Sequence, residues 1–275
     1  MELETAQFEK LRQIIQKEFG ISLGENKQTL MANRLRNYLS LQGFDSYDQL
    51  IAVIEEDKTG DALNDLANLI STNYTFFFRE WEHFELLSEV VLPELKGRLQ
   101  RIKSNDIRLW CAAASSGEEA YSLTIAMMEY FGSSYSSYDA GLLATDISMR
   151  ALEKGASGRY TLNQIERVPT SYREKYFVQV NEGEFEAIEA LRREVLFRKF
   201  NLLDRHYPFK KPFDIIFCRN VMIYFDARTR QDLIEKLFRM TVPGGYLFVG
   251  RSEGIAADRR KYEYVSPAVY RRPIQ

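Results

Sequence analysis

The run Phe213-Asp214-Ile215-Ile216-Phe217-Cys218 ends abruptly in Arg219-Asn220, and a capped helix opens near Asp226. A short, mostly apolar run of this kind reads as a strand buried on both faces, which belongs in a parallel sheet covered by helices. In open α/β sheets ligands bind beyond the carboxyl ends of the strands. Arg219 and Asn220 therefore stand where a binding site forms.

The rest of the chain supplies the partners such a strand requires. From Ile107 the pattern alternates: a strand to Ala114, a helix from Glu118 to Tyr130, a strand from Leu142 to Thr145 and a short helix from Ser148 to Gly155. After the strand at 213–218 come a helix to about Met240, a Pro243-Gly244-Gly245 turn and a strand from Tyr246 to Val249. This alternation predicts a parallel sheet with helices on both faces. Between its halves, Phe177 to Val180, a turn at Asn181 to Gly183 and Val195 to Phe197 read as a small antiparallel insertion over 176–200. The first seventy residues differ. Phe8, Leu11, Ile15 and Phe19 share a helical face closed by Gly20, a second helix covers Lys27 to Leu41, Ser46 and Gln49 resemble a capping box, and a fourth helix covers Asp61 to Ile70. The expected division is an all-α domain over 1–72, an aromatic linker over 73–92 packed on the next unit, and an α/β domain over 93–275.

Composition excludes several classes of function. With 275 residues, 45% of them hydrophobic, the chain can fill a real core. A formal net charge of −2 argues against a broad nucleic-acid or membrane surface. Cys111 and Cys218 lie within apolar runs and read as reduced core residues of a cytoplasmic protein. His83 and His206 have no ligand cluster around them, so no metal site is expected. No signal peptide or bilayer-length apolar run is seen.

The loop Ala112-Ala113-Ala114-Ser115-Ser116-Gly117-Glu118-Glu119 follows the first strand. Its small residues let a ligand approach the backbone, but two carboxylates would repel the phosphates that a glycine-rich dinucleotide loop holds. The loop suits a nucleoside carrying positive charge, and S-adenosylmethionine fits; the same two glutamates would also complement a helix dipole. Asp146, just past the second strand, is placed either to accept ribose hydroxyls or to cap the next helix, a task Ser148 can perform instead. Asn201 and Leu202 offer a polar group and an apolar face to an adenine.

Together these segments resemble the CheR family of chemoreceptor glutamate methyltransferases. The matching stretches are Thr72 to Glu80, Ala112 to Tyr121, Ala144 to Ile147, Asn201 to Leu203, Phe213 to Asp226 and Pro243 to Glu253, so the likeness spans nearly the whole chain. It implies a Rossmann-like class I S-adenosylmethionine-dependent methyltransferase sheet with an all-α N-terminal domain and a small antiparallel β insertion. It also implies roles. Asn73, Thr75 and Arg79 are linker residues that reach the cofactor; Glu118 contacts its methionine part, with Glu119 left open; Asp146 binds the ribose. Asn201 with Leu202 flanks the adenine, Arg219 and Asn220 close the pocket, and Tyr224 stands near the transferred methyl group. Tyr74 and Phe76 are bulkier than the family pattern.

The reaction so implied is methylation of receptor glutamates. A carboxylate nucleophile is ionised at neutral pH and needs no general base, so Arg79 and Tyr224 are the expected catalytic residues, acting by orientation in a dry pocket lined by Phe76, Phe77 and Phe225. Nucleic-acid methylation fits poorly, because no Asn/Asp-Pro-Pro-Tyr loop occurs and Cys218 reads as buried. The alternative is a non-catalytic cofactor-binding docking module on the same fold, against which retention of the whole cofactor set argues. The expected partners are cytoplasmic helices of chemoreceptors, met by Lys27, Arg34 and Arg36 on the second helix with Leu30, Leu35 and Tyr38 as its anchors. A receptor tether peptide would fit the β insertion, and a monomer is expected.

Overall fold

The computed structural model describes residues 2–70, 74–255 and 261–274. Helix α1 (Thr5–Phe19) buries Phe8, Leu11 and Ile15 and ends at Gly20, whose φ of 67° is the left-handed value a glycine accepts without strain. Helices α2 (Gln28–Gln42), α3 (Tyr47–Glu56) and α4 (Asp61–Ile70) complete the N-terminal group. The Ser46 hydroxyl caps α3 by accepting from the Gln49 amide, but the Gln49 side chain accepts from Asp45 N–H, so the expected box reaches one residue further back. On α2 the buried anchors are Met31, Leu35 and Leu39. Leu30, expected among them, is exposed.

Helices α5 (Glu82–Leu86) and α6 (Leu92–Ile102), joined by a π-helical turn, lead into the sheet. In chain order follow β1 (Asp106–Ala112), α7 (Glu118–Phe131), β2 (Asp139–Asp146), α8 (Met149–Ser157), β3 (Arg159–Thr161), α9 (Leu162–Ile165) and α10 (Thr170–Tyr176). Then come β4 (Phe177–Asn181), β5 (Glu184–Ala187), α11 (Glu189–Arg193), β6 (Val195–Lys199), β7 (Phe213–Cys218), α12 (Ala227–Met240), β8 (Thr241–Val249), β9 (Glu263–Ser266) and β10 (Val269–Arg271). Seven strands form the main sheet in the order β6-β2-β1-β7-β8-β10-β9. The first five are parallel, and β10 and β9 join antiparallel at one edge.

Two expectations are corrected. The stretch Val195 to Phe197 is not in the insertion: β6 pairs parallel with β2, Val195 opposite Leu142, and the insertion is instead the three-stranded sheet β3-β5-β4. Pairing with a buried central strand outweighs the short hairpin spacing that suggested otherwise. The Pro243-Gly244-Gly245 turn is absorbed into β8 as an irregularity, with Phe213 opposite Thr241 but Ile215 opposite Tyr246. Gly244 has φ 77°, and a Cβ on Gly245 would stand 2.8 Å from the Asp214 carbonyl oxygen, so both glycines are required to bend the strand there.

The sheet divides the core. One face packs α6 and α7 through residues such as Leu95, Tyr121 and Phe217. The other face continues into the N-terminal helices, where Trp110, Ile216 and Leu247 share a cluster with Leu11, Leu35 and Ile54. That continuity fixes the helical group over the carboxyl ends of the strands. An Ile21–Phe225 bridge, a hydrogen bond from Ser22 N–H to the Tyr224 carbonyl and one from Ser148 Oγ to Asn68 Oδ1 tie the two together.

Candidate active site

Strand order reverses between β1 and β7, because the chain runs from β1 to β2 on one side and returns to β7 on the other. Ligand sites form at such switch points. A cavity of 390 Å³ lies there, walled by the exits of β1, β2 and β7, by the linker after Tyr74 and by α2. Backbone strain gathers at and next to its walls: Ala113, Ser115 and Asn220, which line it, and Phe78 and Glu80, which flank the cavity-lining Arg79, all have φ between 50° and 61°. Non-glycine residues hold that conformation only where the surrounding structure demands it, and such places cluster at functional sites.

Asp146 lies in this wall, with 8% of its surface exposed. One carboxylate oxygen accepts from Ser115 N–H and the other from Ser148 N–H, both at 2.9 Å. Burial pushes its carboxyl up, and those two amides partly offset the effect. Each oxygen keeps a lone pair, so the group can serve two hydroxyls as well. Ser148 Oγ, accepting from Ala151 N–H at 3.1 Å, is the cap of α8. Beside Asp146, the buried Ser115 hydroxyl has no partner among the described residues. These unspent groups on a wall with Phe200 and Leu202 fit a polar nucleoside.

The two glutamates of the first loop separate. Glu118 is 1% exposed and faces away from the cavity, accepting from Ser116 Oγ at 2.7 Å and Gln164 Nε2 at 3.0 Å. Its neighbour Glu119, the alternative left open by the sequence, is the one of the two that lines the cavity. The reason is helical phase: successive residues point about 100° apart, and α9 supplies the amide that claims Glu118. Glu119 is held in turn by Arg219 Nη1 at 2.5 Å.

Arg219 is a buried knot. Its side chain has no exposure, pairs with Glu119 and with Glu80 at 3.0 Å, and donates to the Arg79 carbonyl at 2.6 Å. Burial opposes its charge, but the two carboxylates outweigh burial and push its pKa above the ordinary arginine value. Arg219 therefore fastens the linker to the sheet and fixes Glu119. Asn220 borders the cavity, and its amide nitrogen reaches Glu80 at 3.4 Å.

On the linker, Thr75 and Arg79 line the cavity, and Asn73 lies outside the described residues. Arg79 donates to the Tyr74 carbonyl at 3.0 Å and lies near the Tyr74 and Phe76 rings, and no carboxylate pairs with it among the described residues. Phe77 does not line the cavity; it is buried against Tyr160 and Phe177. Phe225 does, as does Tyr224, carried on a 3₁₀ turn over Met222–Tyr224.

Asn201 and Leu202 line the opposite wall. Both ends of the Asn201 amide are engaged, donating to the Glu18 carbonyl at 2.7 Å and accepting from Leu203 N–H at 3.0 Å. A purine edge there would meet backbone rather than the side-chain amide. Lys27, just before α2, and Leu30 and Arg34 on it reach the cavity, and Arg34 donates to the Ile70 carbonyl at 2.5 Å. Arg36 does not join them, because it lies about 200° round the helix from Arg34 and is exposed elsewhere. Sequence reasoning left the choice between Glu118 and Glu119 open and missed Ser115, whose hydroxyl is unpaired among the described residues, although all three lie in the loop it singled out. Among the described residues no cluster of metal-binding side chains occurs, and no helix is long and apolar enough to cross a membrane.

Comparison with known proteins agrees with this geometry. Residues 6–71 match the model of the CheR methyltransferase all-alpha domain, and residues 73–270 match that of the CheR methyltransferase SAM binding domain. The chemotaxis protein methyltransferase of Borreliella burgdorferi is 38% identical over 263 residues, covering 96% of this chain and 93% of that protein. Chemotaxis protein methyltransferase Cher2 of Pseudomonas putida is 36% identical, covering 95% of this chain and 96% of its own length. The Salmonella typhimurium chemotaxis protein methyltransferase is 33% identical, with 98% and 90% covered. S-adenosylmethionine is the cofactor that the match to the SAM binding domain shows. The chain belongs to the CheR family of chemotaxis protein methyltransferases.

Proposed function

We propose that the chain transfers a methyl group from S-adenosylmethionine to glutamate side chains on cytoplasmic helices of chemoreceptors, giving methyl esters. The observation that carries this reading is Arg79, a guanidinium without a carboxylate partner among the described residues, in the same cavity as Tyr224, Asp146 and Glu119. The cofactor supplies a methyl carbon already activated by its sulfonium. Asp146 would hold the ribose, and Glu119 would face the positive charge of the amino-acid part. Leu202 and the Asn201 backbone would flank the adenine.

Arg79 would hold the substrate carboxylate in a two-point hydrogen bond. The Tyr224 hydroxyl, which makes no hydrogen bond among the described residues, would orient the carboxylate oxygen toward the methyl carbon. No proton has to be removed, since the carboxylate is ionised at neutral pH. Ile21, Leu23 and Phe225 keep water out, which favours a reaction that neutralises charge. Lys27 and Arg34 at the cavity wall would steer acidic helices inward. A tether peptide would add to the β4 edge of the insertion, where Val178 and Val180 are exposed.

The test is transfer from tritium-labelled cofactor to a receptor cytoplasmic fragment, followed by mild base. Label released as methanol supports the ester. Label that stays on the protein through base would overturn it.

A further inference from the structure

Beyond the cavity wall, the loop that carries Tyr224 has an unusual support. Between the end of β7 and the start of α12, the chain turns through Asn220 at φ 59° and a 3₁₀ turn, and this path leaves backbone N–H groups with no sheet or helix partner. Buried N–H groups need acceptors. A single side chain supplies them. Glu253, 1% exposed and just beyond β8, accepts from Asn220 N–H at 2.7 Å through one oxygen and from Ile223 N–H at 3.1 Å through the other. The first oxygen also accepts from Gly250 N–H at 2.7 Å, which closes the Gly250–Glu253 turn on itself.

No cation within the described residues forms an ion pair with Glu253, so its carboxylate is satisfied by main-chain donors. The approach is close. A Cβ on Gly250 would stand 2.6 Å from both Asn220 Nδ2 and Glu253 Oε2, so no larger residue leaves room for the carboxylate to reach the loop. The other side of the loop is fixed independently, by the bond from Ser22 N–H to the Tyr224 carbonyl at 2.8 Å. Tyr224 is thus held between the N-terminal domain and a carboxylate delivered from the far end of β8.

We propose that Glu253 is a positioning residue that sets the backbone of residues 220–224 and thereby the Tyr224 hydroxyl, without itself touching cofactor or substrate. The proposal rests on the role given above to Tyr224. A neutral isostere tests it: Glu253→Gln keeps the shape but places an amide N–H₂ against main-chain donors. With the full chain, bound cofactor and a receptor fragment, kcat is expected to fall by up to about fivefold, the cost expected of losing the Tyr224 hydroxyl, while the receptor KM stays within about twofold.

The deciding readout is a cycle with Tyr224→Phe. If Glu253 acts through the Tyr224 hydroxyl, Glu253→Gln costs little further rate in the Tyr224→Phe background. Fully additive losses would overturn the proposal, because they describe a general loss of structure. Amide exchange gives a second arm that needs no turnover. The Asn220, Ile223 and Gly250 amides should exchange faster in Glu253→Gln while those of β1 and β7 stay protected; unchanged exchange at the three amides would also overturn it. Should Glu253→Gln fold poorly, Gly250→Ala perturbs the same contact from the opposite side and is expected to show the same selective loss of kcat. If wild type methylates no glutamate, the reading of the reaction fails, and exchange alone decides whether Glu253 holds the loop.

Discussion

The sheet side and the helix side of the cavity carry opposite charge. At the strand exits the ionisable groups facing inward are Asp146 and Glu119, and Arg219 is neutralised there by Glu80 and Glu119. From the linker and α2 the inward groups are Arg79, Lys27 and Arg34. A low-dielectric cavity strengthens both fields. Under the proposed reaction the difference has a direct meaning: the negative end suits a donor with a sulfonium and an ammonium group, and the positive end suits a carboxylate acceptor. Because the two walls come from different parts of the chain, each can be altered alone.

The largest effect is expected on the positive wall. Arg79→Ala should remove a charge-assisted contact worth about 2–3 kcal/mol, or roughly 30- to 150-fold in kcat/KM for receptor. Turnover near wild type would show that the acceptor is held elsewhere.

On the negative wall, Asp146→Asn should weaken cofactor binding by about 1–3 kcal/mol, read by calorimetry. Part of that loss is local, since Ser115 and Ser148 N–H groups lose a carboxylate acceptor. The wild-type carboxyl titrates above the usual aspartate range because it is buried. Cofactor affinity should therefore be full at neutral pH and fall as acid protonates Asp146, and the variant should lack that acid dependence. An unchanged affinity in the variant would break the comparison at this end.

Tyr224→Phe should leave cofactor affinity intact and lower kcat by about 1 kcal/mol, roughly fivefold. Wild-type turnover would reduce the ring to a wall.

The smallest effect belongs to the rim. Lys27→Glu should raise the receptor KM by less than about 1 kcal/mol, and the change should shrink as salt is added, because the side chain is exposed. Lys27 is the cleaner site than Arg34, whose guanidinium also holds the carbonyl at the end of α4. Indifference at low salt would place docking away from α2.

What the sequence made legible follows from how local each signal is. The strand at 213–218, its Arg219-Asn220 exit, the α7 start and the Ser148 cap depend on neighbours within a few residues, and the structure has each of them. The misplaced features depend on distant parts of the chain. Periodicity cannot decide that β6 pairs with β2 rather than with the insertion, because both settings bury the same short run. Nothing near Glu118 shows that Gln164 will claim it and leave Glu119 to the cavity. Arg36 shares its helix with Lys27 and Arg34 but not their face, a matter of phase that composition does not record. The support of the Tyr224 loop by Glu253 joins residues some thirty apart through an irregular turn, and no pattern in the sequence announces it.

The division of charge is tested most directly by the acceptor itself. A receptor helix carrying glutamate at its modified position is compared with the same helix carrying glutamine, at saturating cofactor and with labelled methyl. The two side chains match in shape and differ in charge. The account predicts base-labile methyl on the glutamate helix and none on the glutamine helix, with Arg79→Ala lowering the glutamate labelling roughly 30- to 150-fold. Equal labelling of both helices would contradict it.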